Sequence, residues 1–383
     1  MKRPLTIMDN TLREGEQTAG VVFTSEEKIA IAENLDKAGV DFIEAGFPAV
    51  SNEELRIVKK IANLEIKAKV MALSRTSIKD IDLVVETGAY GVSFFTPTSK
   101  ILHKAKSLEL SDKEMISISV KSIQYAKNKG LFVAFGAEDS TRTSDEFIIK
   151  LYSAALDAGA DIVAIVDTTS RLTPIGTYEK VKKYKEKLNG ASISLHLHND
   201  FGMATANAVA GVIAGADQIQ TTINGIGERA GSPCLQEVVM SVNTLTEEKF
   251  EKINTEKFMS LTRLIEKATG IKNSPLSPIV GENAFAHESG LHASAVIKNP
   301  LSYEPFSPED VGASRKFVIG KHTGKKIIEH ILKSEFGVDN ITNNDLEEIV
   351  KKIKEESSID KRKFSAQDVF ELYSQKYPQN KNI

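Results

Sequence analysis

The chain has 383 residues, a net charge of −3, and 41% hydrophobic and 26% charged residues. That composition suits a globular protein with one large and one smaller domain, and it excludes a nucleic-acid footprint built on excess positive charge. A single cysteine, Cys234, rules out a disulfide framework and points to a reducing, cytoplasmic compartment; Cys234 itself reads as a small buried residue.

The N-terminal Met1-Lys2-Arg3-Pro4 leads into a strand without a signal-peptide core, and no apolar run approaches membrane-spanning length. Apolar strand-like runs then alternate with amphipathic runs as far as about residue 246. Strands are predicted over residues 5–8, 42–45, 68–73, 91–95, 131–135, 162–166, 193–197 and 218–223. The first helix is predicted to start after Thr24-Ser25-Glu26-Glu27, a capping signal, with Ile29, Ala32, Leu35 and Ala38 at helical spacing. Gly39, Gly130, Gly159 and Gly215 fall where helices end and a left-handed cap is wanted. Eight βα units in about 245 residues have the size and rhythm of a (β/α)₈ TIM barrel, with a doubly wound open sheet as the alternative.

Past residue 247 the rhythm breaks. A helix is predicted over 258–268, a linker at Asn273-Ser274-Pro275-Leu276-Ser277-Pro278, a polar cluster over 282–324, and Lys/Glu-rich helical runs over 325–377 whose charges face solvent. Residues 378–383 are expected to fray. The expected organisation is a catalytic barrel over 1–272, a linker with a first subdomain over 273–324, and a helical C-terminal subdomain over 325–383.

Polar and ionisable residues stand at nearly every predicted strand end: Asp9 to Gln17, Glu44, Ser74-Arg75, Glu138 to Arg142, Asp167-Thr168-Thr169, His196 and His198, and Asn224 to Arg229. In a barrel these ends meet at one mouth, and charge gathered there is costly unless paired or bound to metal. His196 and His198 lie two apart on one strand, so both project to the same face. That is half of a divalent-metal site if a carboxylate joins them, or else a pair of hydrogen-bonded structural histidines.

Four motifs carry a resemblance. They are Leu12-Arg13-Glu14-Gly15-Glu16-Gln17, His196-Leu197-His198-Asn199-Asp200, Asn224-Gly225-Ile226-Gly227-Glu228-Arg229-Ala230-Gly231, and Phe285-Ala286-His287-Glu288-Ser289-Gly290-Leu291-His292. Together they resemble the isopropylmalate/homocitrate/citramalate synthase family over essentially the whole chain. The resemblance implies a metal-dependent TIM barrel followed by small helical subdomains, an intertwined homodimer, and condensation of acetyl-CoA with a 2-oxo acid. It assigns Glu14, His196 and His198 as ligands of Mg²⁺, Mn²⁺ or Zn²⁺, which would polarise the acceptor's keto group. It places Arg13 beside the developing negative charge, Thr168 and Arg142 on substrate carboxylate, and Glu138 as an orienting group or proton carrier. Arg142 has the alternative of pairing only with Glu138 or Asp139. His292 and Tyr303, reaching in from the partner subunit, are the implied bases for the acetyl group; without the resemblance His287 and His292 read as packed in a helical turn. Gly320-Lys321-His322-Thr323-Gly324 resembles a basic turn that either contacts CoA phosphates or caps a helix.

Departures bear on the acceptor. Ser232 stands where many relatives have an Asn ligand. Glu14 replaces the Asp usual in isopropylmalate synthases and resembles homocitrate synthases, whereas Leu73 stands where some homocitrate synthases place a histidine. Ser170-Arg171 replaces the usual small residues, so Arg171 or Arg75 is a candidate reader of a second carboxylate. The expectation is therefore a homocitrate synthase using 2-oxoglutarate, with isopropylmalate or citramalate synthase as runner-up. A retro-Claisen lyase and a non-catalytic scaffold barrel are the rivals; the scaffold should purify without stoichiometric divalent ion. The chain's end near residue 383 carries the expectation of no leucine feedback domain.

Overall fold

The computed structural model describes residues 4–108 and 110–376. Eight parallel strands form a closed barrel in sequence order: β1 (Thr6–Asp9), β2 (Phe42–Glu44), β3 (Lys69–Arg75), β4 (Gly91–Pro97), β5 (Phe132–Glu138), β6 (Ile162–Asp167), β7 (Ile193–Leu197) and β8 (Gln218–Thr221). β1 closes the sheet on β8 through Thr6–Gln218 to Asp9–Thr221. The barrel interior is packed at its N-terminal end by Met8, Phe42, Met71, Ala134 and Ile162. This is the TIM barrel expected from the sequence, and the open sheet is excluded by closure. β3 to β6 run one to three residues further at their C-terminal ends than apolarity alone predicts. Backbone pairing continues through Thr96–Ala137 and Pro97–Glu138, past the end of the apolar run. β8 stops early because Ile223–Gly225 turns into a 3₁₀ helix.

The capping signal at the first helix is realised: Thr24 Oγ1 accepts the Glu27 N–H, the Glu27 carboxylate accepts the Thr24 N–H, and the helix runs Ser25–Lys37. Gly39, Gly130, Gly159 and Gly215 all have left-handed φ. Lys28 of that helix is fully buried and pairs with Glu16 (2.6 Å) and Glu54 (2.9 Å). Glu16 also accepts the Phe23 N–H, and Glu54 the Phe47 N–H. One buried ammonium thus ties together the loops after β1 and β2, the first of which carries Arg13 and Glu14 toward the mouth.

The chain divides into two compact units, 1–273 and 274–383. In the second, Ala286–His287 pairs in parallel with Lys316–Phe317. Helices Gly290–Lys298, Lys325–Phe336, Asn343–Asp360 and Ala366–Ser374 bury one core, in which Ala293 and Ile319 pack with Ile327, Ile331, Ile349, Ile353, Val369 and Phe370. Gly324 is the N-cap of the helix Lys325–Phe336, and the Gly320 N–H donates to Thr323 Oγ1 (2.7 Å), so the turn 320–324 leads directly into a helix start. Residues 378–383, expected to fray, lie outside the described residues. Among the described residues no helix is long and apolar enough to cross a membrane.

A buried carboxyl sits under the mouth. Asp9, at the end of β1, is fully buried and accepts the Thr11 N–H (2.9 Å), while its Oδ2 and the facing Thr221 Oγ1 have no hydrogen-bond partner among the described residues. Burial drives its pKa up to about 7 from 3.8, against the opposing hydrogen bonds. The folded-state pKa is raised, so the stability of the neutral form is fully present below 3.8 and is lost as pH rises through about 7. Asp9→Asn keeps the acceptor and supplies a permanent donor toward Thr221. Urea unfolding should show it gaining, relative to wild type, on the order of 2 kcal/mol more at pH 8 than at pH 5; equal effects at the two pH values would refute the raised pKa.

Candidate metal centre and active site

At the C-terminal mouth of the barrel a cavity of about 190 Å³ opens onto Arg13, Glu14, Glu44, Glu138, Thr168, His196, His198 and Gln220. Glu14, His196 and His198 present ligand atoms that all lie within 4.8 Å of one another. Glu14 Oε1 is 3.4 Å from His198 Nε2, and Oε2 is 4.0 Å from His196 Nε2. The two rings sit 5.0 Å apart at 75°, as same-face residues of a strand must. His196 Nδ1 donates to Gln220 Oε1 (2.7 Å) and His198 Nδ1 to the Asp167 carbonyl (3.0 Å). With both Nδ1 protons committed, both Nε2 lone pairs turn toward Glu14.

Electrostatics agree with ligation. Burial, then His198 and Arg13, push the His196 pKa down to about 3, so the ring is neutral. Burial opposes ionisation of Glu14 most strongly, but Arg13 and the two histidines together outweigh it and hold the carboxylate ionised. A neutral imidazole at His196 beside an ionised Glu14 is the protonation state a divalent ion requires of those two groups. Ser232 Oγ is buried without a hydrogen-bond partner among the described residues. A Cβ built on Gly227 would lie 2.9 Å from that hydroxyl and 3.4 Å from Glu14, so the two flank the same glycine. Ser232 is brought there by the loop after β8: its N–H donates to the Gly225 carbonyl (3.0 Å), and a side chain on Gly231 would collide with that same carbonyl. The donor set fits a divalent ion with open positions.

Arg13 donates through Nε to Glu44 (2.6 Å) and through Nη1 to Glu14. Glu44, at the end of β2, was visible as a polar strand end, but its service to Arg13 was not. Thr168 lines the cavity; its Oγ1 accepts the Asp139 N–H (2.9 Å), which leaves the hydroxyl proton to be donated. Glu138 lines the cavity and is neutralised by Lys106 (2.8 Å), a residue sequence reasoning did not single out.

Three predicted substrate arginines are not among the cavity's lining residues. Arg142 is paired with Asp139 (2.7 Å), a fully buried carboxylate at a left-handed φ of 63° whose charge needs a partner; this is the contact the pairing alternative named. Arg75 is 61% exposed and tied to Asp80 (2.6 Å). Arg171 is exposed, and its backbone N–H, not its guanidinium, is what binds Asp167. Ser170 has its own explanation. Its φ is 51°, and its hydroxyl donates to Asp200 (2.7 Å), which Arg229 grips through Nε (2.8 Å) while donating to the Thr168 carbonyl (2.8 Å). Ser170, Asp200 and Arg229 therefore stitch together the loops after β6, β7 and β8. Cys234 is buried with its pKa pushed up to about 12, chiefly by burial, and is no nucleophile.

His292 and Tyr303 come together in the second unit. Their rings stack 4.2 Å apart, both side chains are exposed, and Leu291 (84%) and Leu301 (76%) stand exposed beside them in sequence. His287 Nε2 bonds Glu304 (3.0 Å), which Arg315 also holds (2.6 Å).

The HMGL-like family model matches residues 4–265, and a homocitrate synthase post-HMGL domain-like model matches 279–362. Homocitrate synthase AksA of Methanocaldococcus jannaschii is 47% identical over 353 residues, spanning 92% of this chain and 86% of that protein. The 2-isopropylmalate synthase of the same organism is also 47% identical, over 351 residues, spanning 91% of this chain and 67% of that protein. The structure of hydroxymethylglutaryl-CoA lyase from Pseudomonas aeruginosa superposes with a TM-score of 0.62 at 17% identity, covering 71% of this chain and 95% of that one, a likeness of fold alone.

Proposed function

This chain belongs to the HMGL-like family, and on that premise we propose that it condenses acetyl-CoA with a 2-oxo acid and releases CoA. The observation that carries the reading is the convergence of Glu14, His196 and His198 with Arg13 over one cavity at the barrel mouth. Mg²⁺, Mn²⁺ or Zn²⁺ held by those three ligands, with Ser232 beside them, would supply Lewis-acid polarisation of the acceptor's keto group. Arg13 places a permanent cation where the keto oxygen gains charge. The Thr168 hydroxyl donates to the acceptor carboxylate. The acetyl methyl group loses a proton to His292, with Tyr303 stacked on it, and its carbon bonds the keto carbon. That oxygen ends as a hydroxyl, for which Glu138 with Lys106 carries the proton. Water then cleaves the thioester, leaving a carboxylate and the CoA thiol.

We assign His292 and Tyr303 to the active site of a partner subunit in a homodimer; the exposed Leu291 and Leu301 beside them in sequence are the apolar surface such an insertion would bury. On that reading 273–324 carries the inserted residues, and the helices that follow support them through the shared core.

For the acceptor, the cavity favours a monocarboxylic 2-oxo acid such as 2-oxoisovalerate or pyruvate. Its floor is Leu73, Ser93, Ala134, Gly136, Ala164 and Val166, and Arg13 is the only lysine or arginine among the lining residues, against Glu14, Glu44, Glu138 and Glu228. A distal carboxylate placed there would be desolvated without a counter-charge. The second reading, 2-oxoglutarate and a homocitrate product, is supported by Glu14 and by the homocitrate synthase relative. CoA release with a panel of oxo acids, with metal and with EDTA, separates them. We expect metal-dependent release, with 2-oxoisovalerate or pyruvate preferred over 2-oxoglutarate by at least about tenfold in kcat/KM. A 2-oxoglutarate preference would restore the homocitrate reading, and no metal-dependent release with any acceptor would overturn the reaction itself.

A further inference from the structure

We infer that Gln220 is a positioning residue that sets the tautomer of His196 and thereby the affinity of the metal centre; the inference rests on the ligand assignment just proposed. Gln220 lies on β8, one strand from His196 on β7, with its side chain in the barrel interior. An amide can face a histidine with either end. Here Asn10 Nδ2 donates to Gln220 Oε1 (2.9 Å), and Gln220 Nε2 donates to Ser194 Oγ (3.2 Å). Ser194 in turn donates to Gln218 Oε1 (2.9 Å). Asn10 and Ser194, both buried, therefore hold the amide with its oxygen toward the imidazole. His196 has one way to satisfy that oxygen, by donating Nδ1–H at 2.7 Å, and the lone pair is left on Nε2. Five polar side chains thus form one buried hydrogen-bonded chain inside the barrel, and His196 Nε2 is the end of it that faces Glu14.

His198 shows why the control falls on Gln220. Its acceptor is the Asp167 main-chain carbonyl, while the Asp167 carboxylate is spent on Thr141 (2.8 Å), the Arg171 N–H (2.8 Å) and the Leu172 N–H (3.0 Å). Neither histidine thus leans on a carboxylate, the partner that would make an imidazole a stronger donor. The site is built for a weakly held, exchangeable ion, and Gln220 is the side chain through which that strength is set.

The test is metal binding without turnover. Metal-free wild type, Gln220→Met and Gln220→Glu are titrated with Mn²⁺, free Mn²⁺ being read by electron paramagnetic resonance, with Zn²⁺ competition and thermal unfolding of the metal-free proteins alongside. Gln220→Met removes the acceptor, and Mn²⁺ affinity should fall about 10- to 100-fold. Gln220→Glu restores an acceptor, now charged, and should bind Mn²⁺ at least as tightly as wild type and Zn²⁺ more tightly. Wild-type Mn²⁺ affinity in Gln220→Met overturns the inference. So does an equal loss in both variants, which would mark Gln220 as packing only. Failure of wild type to bind either ion would overturn the ligand assignment and the inference with it, a result distinguishable from either variant outcome.

Discussion

His198→Ala should lower kcat/KM for metal-dependent CoA release by about 10³-fold, about 4 kcal/mol of transition-state stabilisation. The substitution removes one of the three proposed ligands from a buried site and leaves Glu14 with Arg13 as its nearest charge. It also removes the shorter of two hydrogen bonds to the Asp167 carbonyl, the Ser170 N–H remaining at 3.4 Å, so some loss of stability is expected; the cavity and one lost hydrogen bond are on the order of 2 kcal/mol. The two effects separate by measurement. Thermal unfolding of the metal-free variant reports the structural cost. Bound metal, measured after equilibration with excess Mn²⁺ and desalting, reports the ligand. A catalytic role through the ion predicts substoichiometric metal and the large kinetic loss together. If His198→Ala holds a full equivalent of metal and keeps activity within tenfold, His198 is one of the hydrogen-bonded structural histidines that the sequence also allowed.

The barrel was legible because its period is local. Eight apolar runs, each followed by a helical stripe and a glycine such as Gly39 or Gly215, leave few other ways to bury that much surface. Glu14, His196 and His198 were legible because His196 lies in β7, His198 directly after it and Glu14 in the loop after β1, and closure of the barrel brings all such strand ends and loops to one place. The arginines were not. A guanidinium on a long side chain goes to the nearest uncompensated carboxylate, and nothing in the local pattern says that Asp139 is fully buried at left-handed φ and claims Arg142, or that Asp80 claims Arg75. Gln220 was overlooked for a related reason. It sits in the run Gln218-Ile219-Gln220, whose alternation reads as an ordinary half-exposed strand until closure puts both glutamines inside. The trace it left is that both faces of a barrel strand are buried, so any polar residue inside one has to be answered by another.

Leu73→His should shift the kcat/KM ratio of 2-oxoglutarate over 2-oxoisovalerate upward by about 10- to 100-fold, roughly 1.4–2.8 kcal/mol. Leu73 pairs with Ser93 across β3 and β4, and Ser93 with Ala134 across β4 and β5, so the three form one row of the cavity floor. Ser93 Oγ, buried there, has no hydrogen-bond partner among the described residues. An imidazole at position 73 would stand next to that hydroxyl and give a distal carboxylate two adjacent donors in place of an apolar wall. The same change costs a branched aliphatic acceptor its contact with the leucine and leaves a buried imidazole unanswered, so the ratio moves from both sides. Protonation sharpens the test. If the introduced ring acts as a cation, the gain for 2-oxoglutarate should be larger at pH 6.5 than at pH 8, whereas a gain from cavity shape alone would be independent of pH. Should both acceptors lose activity equally, the row Leu73–Ser93–Ala134 does not face the acceptor's distal end, and the apolar-floor argument for a monocarboxylic substrate falls with it.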